Sequence, residues 1–163
     1  MSINLGYACI NETLQAKKIT CNRGMIKRTF QAKGIAYASE LALSNVKALK
    51  KIIEWNGVHG IGVYRMTSCM FPWFSEYDIF TLPDIDAIAD VMSEAGEIAM
   101  SGNQRLSFHP GPFNCLASPS EDVVRKTIAE LDAHSIQMDI MGLPQSPQAK
   151  INIHIGGAYG EHD

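Results

Sequence analysis

The sequence alternates between two hydrophobic periods, and that alternation restricts the fold more than any other feature. Residues 3–9 (INLGYAC), 61–66 (IGVYRM), 105–109 (RLSFH) and 150–155 (KINIHI) read as short strands. Three helical patterns lie between them. They carry Ala42, Val46, Leu49 and Ile53 within 38–56, then Ile85, Ile88, Met92, Ala95 and Ala99 within 84–101. The third carries Val124, Ile128, Leu131 and Met138 within 120–141. Ser39, Asp84 and Ser120 are expected at the helix starts, and Gly57, Gly102 and Gly142 at the ends. Residues 10–37 are expected to be a long polar connection. The order β-α-β-α-β-α-β requires parallel strands with right-handed crossovers. The 163 residues suit a single domain, 1–163.

Two architectures fit this order: an open doubly wound sheet, or half of an eight-stranded barrel. An open parallel sheet covered on both sides is apolar on both faces. Here Ile151, Ile153 and Ile155 oppose Asn152 and His154, and Leu106 and Phe108 oppose Ser107 and His109. Two strands thus end in a histidine on a polar face, at the end where barrel enzymes place their chemistry. The expected fold class is α/β, a partial TIM-type barrel built from its first four parallel strands.

His109 and His154 are the candidate site. Imidazole is the commonest protein ligand for borderline divalent metals. Neighbouring strands lie about 4.8 Å apart, so two such rings can share one ion. The other reading of each ring is a hydrogen-bonded histidine in a half-polar core. His59, His134 and His162 are assigned no function. Four cysteines without a CxxC spacing are expected to be free thiols. GGAYG at 156–160 reads as a turn or as an approach for an anion to backbone amides. Its spacing is neither GxGxxG nor a P-loop, so a nucleotide cofactor is a poor fit.

The net charge is −3, but it is unevenly spread. Residues 17–33 hold Lys17, Lys18, Arg23, Lys27, Arg28 and Lys33 and no acid. The remaining eight basic residues face 17 acidic ones, a net of −9. A cationic segment on an acidic body can engage a phosphate backbone, and it can equally be a solvated loop. Tyr7, Trp73, Phe113 and Asn114 lie near strand ends, where aromatic rings can stack on bases or wedge into a duplex. Trp73 and Phe74 also suit a core beneath a long loop. No apolar run reaches the roughly 20 residues that span a bilayer, and no basic-then-apolar leader opens the chain. The expectation is a cytoplasmic protein, nucleoid-associated if bacterial or phage, with no membrane partner.

Six blocks then carry a family resemblance: GYACIN at 6–11, TCNRGMIKRTF at 20–30, SELALSNVKAL at 39–49, YRMTSCMFPW at 64–73, SFHPGPFN at 107–114 and NIHIGGAYG at 152–160. Together, in register, they resemble the UV damage endonuclease family. The resemblance implies a metal-dependent (β/α)8 barrel that nicks double-stranded DNA immediately 5′ to UV photoproducts. His109 and His154 match family metal ligands and are the catalytic positions. Tyr7 resembles a lesion-probing residue and Asn11 a DNA contact. Pro112 and Phe113 stand where other members carry a Gln-Tyr probing pair, and Asn114 follows them. Glu76 falls where some members have a metal-binding histidine. The implied cofactor is a divalent metal, Mn²⁺, with Mg²⁺ or Zn²⁺ as alternatives. Arg23, Lys27 and Arg28 are the expected phosphate contacts. The resemblance spans the first half of the family barrel, so further carboxylate and histidine ligands would come from strands five to eight. Two alternatives remain open: a non-catalytic barrel fragment and a xylose-isomerase-like sugar isomerase. Open edges at the first and fourth strands also suggest self-association.

Overall fold

A computed structural model describes residues 4–154 and 156. Ile155 and most of the GGAYG stretch lie outside the described residues. Strand β1 (Leu5–Ala8) leads through a short helix α1 (Glu12–Gln15) to helix α2 (Lys27–Val58) and strand β2 (Ile61–Arg65). Two 3₁₀ turns, Phe74–Glu76 and Ile79–Thr81, precede helix α3 (Ile85–Ser101) and strand β3 (Arg105–Phe108). Helix α4 (Glu121–Ile140) and strand β4 (Lys150–Ile151) complete the order.

The four strands are parallel and lie in the sequential order β1-β2-β3-β4. Right-handed crossovers between strands in sequential order place every helix on the same side of the sheet. A doubly wound sheet would instead reverse its order partway and put helices on both sides. The arrangement is half of a TIM-type barrel, as the polar strand faces imply.

The core fills the space between the sheet and these helices. Tyr64, Met66, Leu106 and Phe108 point from the strands to Val46, Leu49, Ile53, Ile88, Met92 and Met138. Within α2 the buried positions 38, 39, 42, 45, 46, 48, 49, 52, 53 and 56 lie on one helical face.

Several boundaries differ from the sequence reading. Helix α2 begins at Lys27, inside the expected connection, and breaks at Gly34, whose φ is +65°. Its first turns carry one large apolar residue, Phe30, which stacks on Trp73 at 5.8 Å and tilts against Tyr77 at 6.3 Å. That docking is tertiary, so no periodicity announces it. Ser39 is not a cap but a buried helical residue. Its Oγ donates to Asp84 Oδ2 at 2.7 Å and accepts the Asp84 N–H at 2.9 Å. Regular pairing of β4 stops at Ile151. Asn152 N–H still donates to Phe108 O at 2.9 Å, and His154 bridges to Cys115.

His134 is buried on α4, with Nδ1 2.7 Å from Glu130 O and its ring edge-on to Phe108 at 4.7 Å. Burial pushes its pKa down, against the smaller raising effect of the Glu130 carbonyl, so protonation is disfavoured in the folded chain. The unfolded chain protonates it near 6.5. The unfolded state then binds more protons, and stability falls as pH drops below that value, by at most about 1.4 kcal/mol per pH unit. Urea midpoints at pH 7.5 and 5.5 are expected to separate in that direction, and His134→Gln to narrow the gap. An unchanged gap would show that His134 is not the source.

Candidate functional site

Phe108 turns towards the helices, so strand alternation turns the next residue, His109, to the opposite face. His154 reaches the same place one strand over, held by the Phe108–Asn152 and Cys115–His154 pairings. The two ring centroids lie 4.9 Å apart with planes at 87°. Each imidazole nitrogen binds a metal at about 2.0–2.1 Å, so this separation fits one shared ion. Two imidazoles fill only part of a coordination sphere. Among the described residues, no group of three or more His, Cys, Asp or Glu side chains could hold a metal. Glu76 therefore does not complete the pair. It lies exposed at the end of a 3₁₀ turn.

The loop after His109 displays two residues and folds back on itself. Asn114 donates to Gly111 O from both its backbone N–H (3.0 Å) and its Nδ2 (3.1 Å). That turn leaves Pro112 exposed and Phe113 91% exposed. Beside it runs a cleft of about 650 Å³ lined by Met25, Cys69, Phe71, Trp73, Phe113 and Glu130. Trp73 adopts a left-handed φ of 59°, costly for a bulky side chain. Its indole N–H donates to Met25 O at 2.9 Å, and its ring stacks on Phe30. Trp73 lies near the strand ends as its sequence position suggests, and no sequence signal marks this cleft.

Three other expected contacts are already engaged within the fold. Tyr7 packs on the helix side of the sheet, 5.0 Å from Tyr64. Its hydroxyl donates to Asn56 Oδ1 at 2.7 Å and accepts from Asn11 Nδ2 at 2.9 Å. Burial pushes the phenol pKa up, against the lowering effect of those bonds. Asn11 is 6% exposed, and its Oδ1 caps α1 by accepting the Leu14 N–H at 3.0 Å. Arg23 donates its guanidinium to Lys18 O at 2.7 Å and to Thr20 O. Lys27 and Arg28 remain exposed on the first turn of α2.

Residues 3–163 match the protein family described as UV-endonuclease UvdE. The chain belongs to that family. It is 33% identical over 165 residues to a homologue in Acanthamoeba polyphaga mimivirus, covering 99% of this chain and 49% of that protein. It is 34% identical over 160 residues to the UV-damage endonuclease of Schizosaccharomyces pombe, covering 95% of this chain and 26% of that one. The crystal structure of SacUVDE superposes with a TM-score of 0.81 at 28% identity, over 96% of this chain and 50% of SacUVDE. The chain thus spans about half the length of the mimivirus relative and of SacUVDE, and less of the yeast enzyme. Among the described residues, no helix is long and apolar enough to cross a membrane. Cys9, Cys21 and Cys69 are free thiols.

Asn45 ties together two segments that line the cleft, a role not evident from its mid-helix place in the sequence. It is buried, with Oδ1 accepting the Arg23 N–H and Nδ2 donating to Arg23 O and Met70 O, each at 2.9 Å. It ties the loop before α2 to the segment after β2. Asn45→Ala strands buried backbone groups and is expected to cost about 3 kcal/mol, read as a fall in the urea midpoint. A loss below about 0.5 kcal/mol would mean that water replaces all three bonds.

Proposed function

We propose that this chain supplies the first four strands of a divalent-metal-dependent DNA repair endonuclease that cuts 5′ to UV photoproducts. The observation that carries this reading is the convergence of His109 and His154 at the strand ends, in a chain of the UvdE family. A bound metal, Mn²⁺ in this reading, would lower the pKa of a water and stabilise charge on the leaving oxygen. His109 and His154 hold it from one side, and further ligands come from outside the described residues. Phe113 wedges into the duplex, where damaged steps are cheaper to unstack than intact ones. Lys27 and Arg28 add phosphate affinity that falls with salt. Membership of the UvdE family removes the support for the sugar-isomerase alternative.

The second reading is a half that binds metal and damaged DNA without turnover. It is favoured by the coverage of about half of SacUVDE. Supercoiled plasmid, irradiated or not, separates the two when incubated with the chain and Mn²⁺ or with EDTA. Metal-dependent nicking of irradiated plasmid alone supports catalysis. Salt-sensitive binding that prefers irradiated duplex, without nicking, supports the binding half. Neither nicking nor preference would overturn both.

A further inference from the structure

A second cavity, of about 630 Å³, adjoins the cleft beside Phe113 and shares Phe71, Phe74 and Asn114 with it. Neither His109 nor His154 lines it. The two 3₁₀ turns between β2 and α3 bound it on one side and α4 on the other, where it reaches from Arg125 to Gln137. Twelve residues of helix make this a trough about 18 Å long. Phe74, Tyr77, Ile79 and Ile136 give it an apolar surface. Glu76 and Asp78 stand on one wall, Glu130 and Asp132 on the other. Among the described residues, none of these four acids takes part in an ion pair. The two basic residues of the trough, Arg125 and Lys126, are both drawn to Asp122, at 2.5 and 2.6 Å. Glu130 is half-buried, and burial raises its pKa against the lowering effect of the Asn114 side chain. A carboxylate so placed gains from a cation brought by a ligand. A second observation does not depend on charge. Gln137, only 1% exposed, donates its Nε2 to Ala133 O at 3.1 Å, and its Oε1 has no hydrogen-bond partner. Buried acceptors are almost always satisfied, so this one marks a place for an N–H donor.

We propose that this trough binds a linear polyamine, with its ammonium groups between the two acidic walls, its methylenes along Phe74, Tyr77 and Ile136, and one N–H donated to Gln137 Oε1. An extended ligand suits a trough that follows about three turns of helix. Methylenes cover the apolar surface, which a bare metal ion leaves wet. Ammonium groups beside the rings of Phe74 and Tyr77 gain a further electrostatic attraction. The same acidic walls repel a DNA backbone, so the trough is separate from any surface that holds the nucleic acid.

Isothermal titration calorimetry of the intact chain with spermidine, at about 100 mM NaCl, tests this. One saturable site is expected. E130Q/D132N is expected to weaken it at least about tenfold, whereas D86N/D90N, which removes two exposed acids from α3, changes it less than about twofold. Gln137→Met keeps the charge and the approximate volume and removes the acceptor, and is expected to weaken binding about fivefold or more. Equal losses from the two acid pairs, or full affinity in Gln137→Met, overturn the proposal and leave only diffuse attraction of a polycation to an acidic chain. The absence of a saturable site also overturns it. Mg²⁺ that displaces spermidine at equal charge concentration does the same, because a bare ion makes no use of the apolar surface. Should circular dichroism show either trough variant unfolded, Glu76→Gln on the exposed wall decides. It is expected to weaken binding at least about threefold, and no change would refute the site.

Discussion

Replacing Gly96 with alanine is expected to destabilise the fold by about 3 kcal/mol or more. A Cβ at this buried position on α3 would lie 1.8 Å from Met141 O, 2.8 Å from Met141 C and 3.2 Å from Met141 Cα. All three are backbone atoms, so no rotamer change relieves the contact. The end of α4 must move, and it carries Met138, Met141 and Leu143 into the core. Overpacking usually costs about 1–3 kcal/mol, and a clash with fixed backbone belongs at the top of that range. Gly24→Ala is the control. Nothing lies within 4 Å of its added Cβ, so its effect is expected to stay within about 0.5 kcal/mol. Urea unfolding of the three proteins measures both. A Gly96→Ala midpoint equal to the parent's would mean that α3 and the end of α4 are not in backbone contact.

What could be read before the fold was known depended on how local its cause was. Strand alternation is local, so the shared face of His109 and His154 followed from residues 105–109 and 150–155. The same logic applied to Tyr64 would have placed Arg65 on the open face. Phe30 shows the opposite case, because its turn of helix exists through Trp73 and Tyr77, more than forty residues away. Tyr7, Asn11 and Arg23 show a third. Their chemistry was legible, but whether a hydroxyl, amide or guanidinium is free depends on which backbone or side chain reaches it first. Asn56, the α1 amides and the Lys18 and Thr20 carbonyls do so here. Glu76 is a related case, since the position of a carboxylate in a loop depends on the path of the whole segment between β2 and α3.

Removing either imidazole is expected to lower Mn²⁺ affinity by about 100-fold or more. Outer-shell partners of metal ligands are already worth about 10- to 100-fold, and a direct ligand contributes more. His109→Ala and His154→Ala each leave one ring, and the advantage of two pre-positioned donors disappears with the first substitution. The double variant is therefore expected to bind little worse than either single one. Two independent sites would instead give additive losses, which makes the mutant cycle the deciding measurement. Free and bound Mn²⁺ can be distinguished by electron paramagnetic resonance without any turnover. Circular dichroism guards against a trivial loss through unfolding, since both rings lie on the sheet face away from the core. Additive losses, or single variants that keep the parent's affinity, would mean that rings 4.9 Å apart meet without sharing an ion. Zn²⁺ sharpens the test, because an imidazole pair binds it more tightly than Mn²⁺ and should show the same non-additivity at lower concentration.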